Sequence, residues 1–140
     1  MFGSMFHHVD LLNKTMDASW LKNEVHAQNV ANQDTPNYNA KYVEFDTQFK
    51  RALLELDKGE FAGKKTRAKH IDIGARDIDP LEVNPFIAED TVSTMRMDGN
   101  NVDIDAEMNE VAKNTIYYNS LANKVTSELR RLRSAIVSGG

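Results

Sequence analysis

Between Ile104 and Ile136 the sequence contains neither glycine nor proline, and its apolar residues recur with a steady step. The seam runs Ile104, Met108, Val111, Thr115, Tyr118, Ala122, Val125, Leu129, Leu132, Ile136, in alternating steps of four and three. Side chains at that spacing share one stripe of an α-helix. The alternation averages about 3.5 residues per turn, the period of a coiled coil. Asp103, Asp105, Glu107 and Glu110 crowd the start, Arg130, Arg131 and Arg133 the end, and Gly139 and Gly140 follow. That charge order complements a helix dipole, and the glycines permit termination. The helix would span roughly 50 Å at about 1.5 Å per residue. A compact domain of 140 residues has a radius of gyration of only about 14 Å. The stripe therefore needs an equally long cover, from this chain or from others.

The cover within the chain is a second long helix predicted over residues 5 to 31. Met5, Val9, Leu12, Met16 and Ser19 keep the four-three rhythm. Asn23 and His26 then fall on the seam, while Trp20, Ala27 and Ala31 lie beside it. Polar residues on a seam cost stability but fix register between helices. An ordinary amphipathic helix in a small bundle fits this pattern equally well. The predicted packing residues are Leu12, Met16, Trp20 and Val30 on this helix. On the other they are Met108, Val111, Tyr118, Val125, Leu129 and Leu132.

The helix must stop at Asn29-Val-Ala-Asn-Gln-Asp-Thr-Pro-Asn-Tyr38. Pro36 disfavours helix in the residue before it. Asn37 can take the left-handed conformation usually left to glycine. Asn29, Asn32 and Asp34 can bond backbone groups around the turn. Phe45, Phe49, Leu53 and Leu56 then mark a short amphipathic helix, ended by Gly59 and Gly63. Lys64, Lys65, Arg67 and Lys69 read as a solvated basic loop. From Ile71 to Thr94 the pattern changes: Pro80, Asn84 and Pro85 break it up, Ile71-Asp-Ile73 alternates, and the stretch from Phe86 to Met97 contains β-branched residues, so short strands or extended segments are expected before the turn at Asp98-Gly-Asn-Asn101. The predicted fold is mainly α: two long terminal helices as an antiparallel coiled-coil pair, around an irregular middle with a short helix and short β segments. Residues 1–31 and 104–140 would form one axial core, and residues 32–103 the connecting middle.

Chemistry is hard to find in this chain. It lacks a phosphate-binding glycine loop, a nucleophile elbow and the paired histidines of a zinc protease. His7, His8, His26 and His70 share no ligand spacing, and there is no cysteine. Asp98-Gly-Asn100-Asn-Val102-Asp103 imitates a calcium loop but fails at the fifth, sixth and twelfth positions, where Val102, Asp103 and Asn109 stand. A turn opening a helix explains it better. Net charge is −4 without a concentrated basic patch, which argues against nucleic acid. No catalytic, cofactor or metal site is assigned. No segment approaches a membrane span, and residues 1–10 lack the basic and apolar parts of a signal peptide.

Asn29-Val-Ala-Asn32 followed by Thr35-Pro36 and Tyr38 resembles the N-terminal signature of bacterial flagellar rod and hook proteins. Ala31 completes its asparagine-aliphatic-alanine-asparagine core. Asn37 stands where that family usually has glycine, and Gln28 where it often has asparagine. Thr66 with His70-Ile71, and Asp98-Gly-Asn100-Asn-Val102-Asp103 with Glu107, resemble its proximal-rod branch. The resemblance implies a structural part of the flagellar basal body, whose terminal helices join copies of itself and other rod proteins in a hollow drive shaft. It also implies a FliE-type adaptor and the MS ring at the rod base. Passage through the flagellar type III export apparatus, without a cleaved signal peptide, would place the rod across the periplasm. Phe49-x-x-x-Leu53 resembles the export-gate motif of such substrates, and equally a packed helix face. The competing reading is a soluble dimeric helical adaptor or export chaperone.

Overall fold

The computed structural model describes residues 2–57, 79–91, 97 and 99–138. The predicted helix end at Gly59 and Gly63, the basic run from Lys64 to Lys69, and the Thr66, His70-Ile71 and Ile71-Asp-Ile73 features lie outside them. So do Asp98 and the terminal Gly139-Gly140. The chain divides into two units, residues 1–44 with 85–140, and residues 45–84.

The first unit is the helix pair. Helix α1 is Phe2–Ala31 and helix α3, at the other end of the chain, is Ile104–Ser138. They run antiparallel: Ser19 bonds Asn114 and His26 bonds Glu107, so rising numbers on one helix meet falling numbers on the other. The strands β1, Lys41–Glu44, and β2, Phe86–Glu89, close a two-stranded antiparallel ladder in which Lys41 faces Glu89 and Glu44 faces Phe86. Asp90 donates its N–H to Ala40 O at 2.8 Å, continuing the ladder by one bond. β2 falls inside the stretch predicted to hold strands. β1 was not predicted: Tyr42 and Val43 favour strand, but four residues are too few for a period to show.

The second unit contains α2, Asp46–Asp57, and a single 3-10 turn, Pro80–Glu82, which pack together. Asp79 Oδ1 accepts the Leu81 N–H at 2.9 Å and caps that turn. The buried face of α2 is rotated from the predicted one. Phe45 and Ala52 are buried and Phe49 half-buried, whereas Leu53 is exposed. Ala52, three residues after Phe49, takes the inward position that the four-residue step had assigned to Leu53.

The seam of α3 needs a similar correction. The residues turned inward are Glu107, Val111, Asn114, Tyr118, Leu121, Val125, Glu128 and Leu132, again in steps of four and three. Val111, Tyr118, Val125 and Leu132 belong to the predicted stripe. Its other members, Ile104, Met108, Thr115, Leu129 and Ile136, are exposed, and Ala122 is half-buried. The helix pair has rolled by one position, because Asn114 and Glu107 find hydrogen-bond partners on α1 that Thr115 and Met108 would not. α3 also runs past Ile136, so Arg130, Arg131 and Arg133 stand short of its last turn, where a dipole contribution has faded.

Candidate functional site

The turn after α1 and the segment before α3 form one hydrogen-bonded knot built largely of asparagines. α1 ends by tightening. Asn32 N–H reaches both Gln28 O and Asn29 O at 3.1 Å, and Asn32 Nδ2 donates to Gln28 O at 2.7 Å. Thr35 N–H then bonds Asn32 O, and Thr35 Oγ1 donates to Asn32 Oδ1 at 3.3 Å. Asn37 follows Pro36 with φ of 58°, in the left-handed region. This is the conformation its place in the turn predicted.

Asn29, fully buried, ties three elements together. Its Nδ2 donates to Lys41 O at 2.7 Å and to Glu107 Oε1 at 3.0 Å. Its Oδ1 accepts the Lys41 N–H at 2.9 Å and the Tyr38 hydroxyl at 3.2 Å. Glu107 Oε2 meets His26 Nδ1 at 2.5 Å, so one carboxylate spans two positions of α1. Burial pushes the Tyr38 phenol above its ordinary value, and the carboxylates of Glu89 and Glu107 push it further.

Asn100, also fully buried, holds the turn from the other side. Its Nδ2 group donates to the carbonyls of Asn32, Gln33 and Thr35 at 2.9 to 3.0 Å, and its Oδ1 accepts the Val102 N–H. Asn101 Oδ1 takes the Ala40 N–H, and its Nδ2 donates to Asp90 O, locking the end of the β ladder. Asp103 Oδ1 accepts the N–H groups of Asp105 and Ala106 at 3.0 and 3.2 Å, a true N-cap. The Asn100 to Asp103 segment is thus the helix-opening turn that the failed calcium spacing suggested. Gly99, with φ of 78°, passes so close that a Cβ there would stand 2.7 Å from Asn37 Oδ1. Asn37 and Gly99, the two left-handed residues among those described, touch. Asn100 and Asn101 appear in the sequence only as turn formers; their reach across some 65 residues has no local signal.

The packing residues divide. Leu12, Met16, Val30, Val111, Tyr118, Val125 and Leu132 are half-buried. Trp20 is 64 % exposed, with its ring 6.4 Å from that of Tyr118. Met108 and Leu129 are 54 % and 48 % exposed. In the turn, Asn29 is buried, Asn32 and Tyr38 are half-buried, and Ala31, Thr35 and Pro36 face outward. Phe49 stacks on Phe45 with ring centroids 4.7 Å apart, and Leu53 lies at the surface. Among the described residues, no group of three His, Asp or Glu could hold a metal ion, and no helix is long and apolar enough to cross a membrane.

Terminal helices locked at one end, with apolar surface left along both of them, are the build of a structural subunit made for assembly. Relatives agree. No family model matches the chain. It is 33 % identical over 115 residues to the flagellar basal body rod protein FlgB of Borreliella burgdorferi, covering 82 % of this chain and 84 % of that one. It is 31 % identical over 128 residues to FlgB of Bacillus subtilis, covering 91 % and 92 %. It is 27 % identical over 123 residues to that of Escherichia coli, covering 84 % of each. The chain belongs to the FlgB family of flagellar basal body rod proteins.

Proposed function

We propose that this rod subunit joins copies of itself and other axial proteins by covering the stripe of α3 that its own fold leaves bare. The observation that carries this reading is the exposure of Met108, Leu129 and Ile136 on a helix whose adjoining flank is packed on α1. Long apolar stripes of this kind are covered in the functional state, since burying each large apolar side chain is worth about 1.5–3 kcal/mol. Repeated head to tail by rotation and rise, such a contact gives a tube and not a closed ring. Interlocked long helices make that tube stiff enough to transmit torque. The hydrogen-bonded knot at Asn29 and Asn100 fixes the angle at which both helices leave the turn, and so the geometry of the contact.

The same reading places a FliE-type adaptor and the MS ring at the rod base and sends the chain through the flagellar type III apparatus without a cleaved signal peptide. Phe49 is stacked on Phe45 in the folded chain, so a gate motif at Phe49-x-x-x-Leu53 would be read before folding. One complementation experiment separates the steps. Leu129→Asp is expected to be secreted normally, yet absent from purified basal bodies, because an unpaired buried charge costs several kcal/mol. Phe49→Ala is expected to lower secretion itself. Full motility with Leu129→Asp would refute the assembly role of the stripe.

A further inference from the structure

Three parallel rows of side chains run along the side of α3 nearest α1. Val111, Tyr118, Val125 and Leu132 form the middle row and are half-buried. Glu107, Asn114, Leu121 and Glu128 flank it on the side turned inward, and Met108, Thr115, Ala122 and Leu129 on the side turned outward. The middle row joined to either flank keeps steps of four and three, so either pair of rows is a coherent packing surface. Successive residues of a helix stand about 100° apart and the middle row lies halfway, so the two surfaces differ by a roll of roughly 50°. In the far half, apolar burial does not choose between them. Leu121, 8 % exposed, is inside in this roll and Leu129, 48 % exposed, is outside; the other roll exchanges them. Glu128 is paired with Lys124 and Arg131 of its own helix at 3.0 Å, and can turn outward with both partners. Hydrogen bonds choose instead. Ser19 Oγ donates to Asn114 Oδ1 at 2.8 Å, and Asn114 Nδ2 donates back to Ser19 O at 2.7 Å. The roll they hold has a cost. Asn23 Oδ1, about one turn along α1 from Ser19, is buried without a hydrogen-bond partner, the one such side-chain atom among the described residues.

We propose that the Ser19–Asn114 pair is a latch on the roll of α3, and that its release turns α3 by half a step, carrying Thr115, Ala122 and Leu129 toward α1. Both latch residues have other partners to take. Asn114 turns to water, and a serine hydroxyl in a helix can bond the carbonyl four residues back, here that of Thr15. The bonds of Glu107 need not break, because the roll accumulates along the helix. A straight α-helix drifts about 20° per heptad against a 3.5 repeat, in the direction that brings the outer row in, so two heptads supply about 40°. The consequence for assembly rests on the rod reading. Latched, the subunit presents Leu129 to a neighbour; unlatched, it hides Leu129 against its own α1.

The chain has no cysteine, so introduced thiols report exposure without interference. Thr115→Cys and Ala122→Cys are read by their rates of reaction with a maleimide in the full-length protein, with Asn123→Cys on the exposed side as control. Adding Asn114→Ala is expected to slow Thr115→Cys and Ala122→Cys several-fold and to leave Asn123→Cys unchanged. Protection gained on losing a hydrogen bond separates a roll from unfolding, which speeds all three. Unchanged or faster labelling of Thr115→Cys and Ala122→Cys would overturn the proposal. Ser19→Ala, which removes one bond and keeps the other, should slow the same two thiols less. It decides the matter if Asn114→Ala does not fold, and an unslowed rate there also overturns the latch. Basal-body incorporation is scored separately. Slowed labelling together with motile Leu129→Asp cells keeps the latch and refutes the assembly stripe; unslowed labelling with Leu129→Asp absent from basal bodies does the reverse.

Discussion

The two ends of the α1–α3 pair are built from different interactions. At the turn end, Ser19, His26 and Asn29 of α1 meet Asn114 and Glu107 of α3 through directional hydrogen bonds. Ser19 Oγ donates to Asn114 Oδ1 at 2.8 Å and Asn114 Nδ2 returns to Ser19 O at 2.7 Å. At the far end the same antiparallel register sets Met16, Leu12 and Val9 along the stretch of α3 that carries Leu121 and Val125, and those inward side chains are apolar. Hydrogen bonds have one register in which all partners are satisfied, and a slip by one residue strands several buried groups. Apolar contact is non-directional and tolerates rolling or repacking. The turn end therefore sets where the helices are, and the far end remains adaptable to a neighbour. Hydrogen exchange should show this directly, with amides of 19–31 and 101–114 more protected than those of 6–12 and 125–138.

Substitutions test the contrast in order of size. Asn29→Ala should have the largest effect, about 3 kcal/mol in denaturant unfolding, because it strands Lys41, Tyr38 and Glu107 together. A loss under about 1 kcal/mol would mean the knot does not set the register. Gly99→Ala should cost about 1–2 kcal/mol, from a positive φ and the clash with Asn37 Oδ1. Asn37→Gly alone should be nearly neutral, and in that background most of the clash part of the Gly99→Ala cost should vanish, giving a measurable coupling. Val125→Ala at the far end should cost only about 1 kcal/mol, since the site is half-open and can relax.

The smallest effect is a pH dependence. Folding raises the Tyr38 phenol above its ordinary value near 10, so the fold favours its protonated form. That contribution is whole below the ordinary value and is lost as pH climbs through the raised one. Tyr38→Phe should lose a hydrogen bond at neutral pH, worth about 1 kcal/mol, and should lack the extra alkaline destabilisation seen in the unmodified chain. An identical alkaline slope in both proteins would show that Tyr38 is ionised as easily in the fold as outside it.

Much of this was legible beforehand. The two terminal helices, their antiparallel pairing, the turn at Pro36 and the left-handed Asn37 all follow from short-range rules about period, proline and asparagine. Family membership was legible in Asn29 to Tyr38, because a turn motif is contiguous. Which side of α3 faces α1 was not. The stripe from Ile104 to Ile136 ranks residues by hydrophobicity, and by that measure Leu129 outranks Asn114. The fold prefers Asn114 because Ser19 offers it two hydrogen bonds from the other helix. Leu53 lost its inward place to Ala52 for a similar reason: a period gives a face to within one residue, and packing decides among neighbours. β1 escaped notice because a strand of four residues is defined by its partner β2, some 45 residues away.

Local composition thus determined which segments are helical, where they stop and which family the chain joins, since propensity and turn chemistry act over a few bonds. Only the assembled fold decided the roll of the helices and the long reach of Asn29, Asn100 and Glu107. Hydrogen bonds between distant residues depend on distances and angles that no stretch of sequence contains by itself.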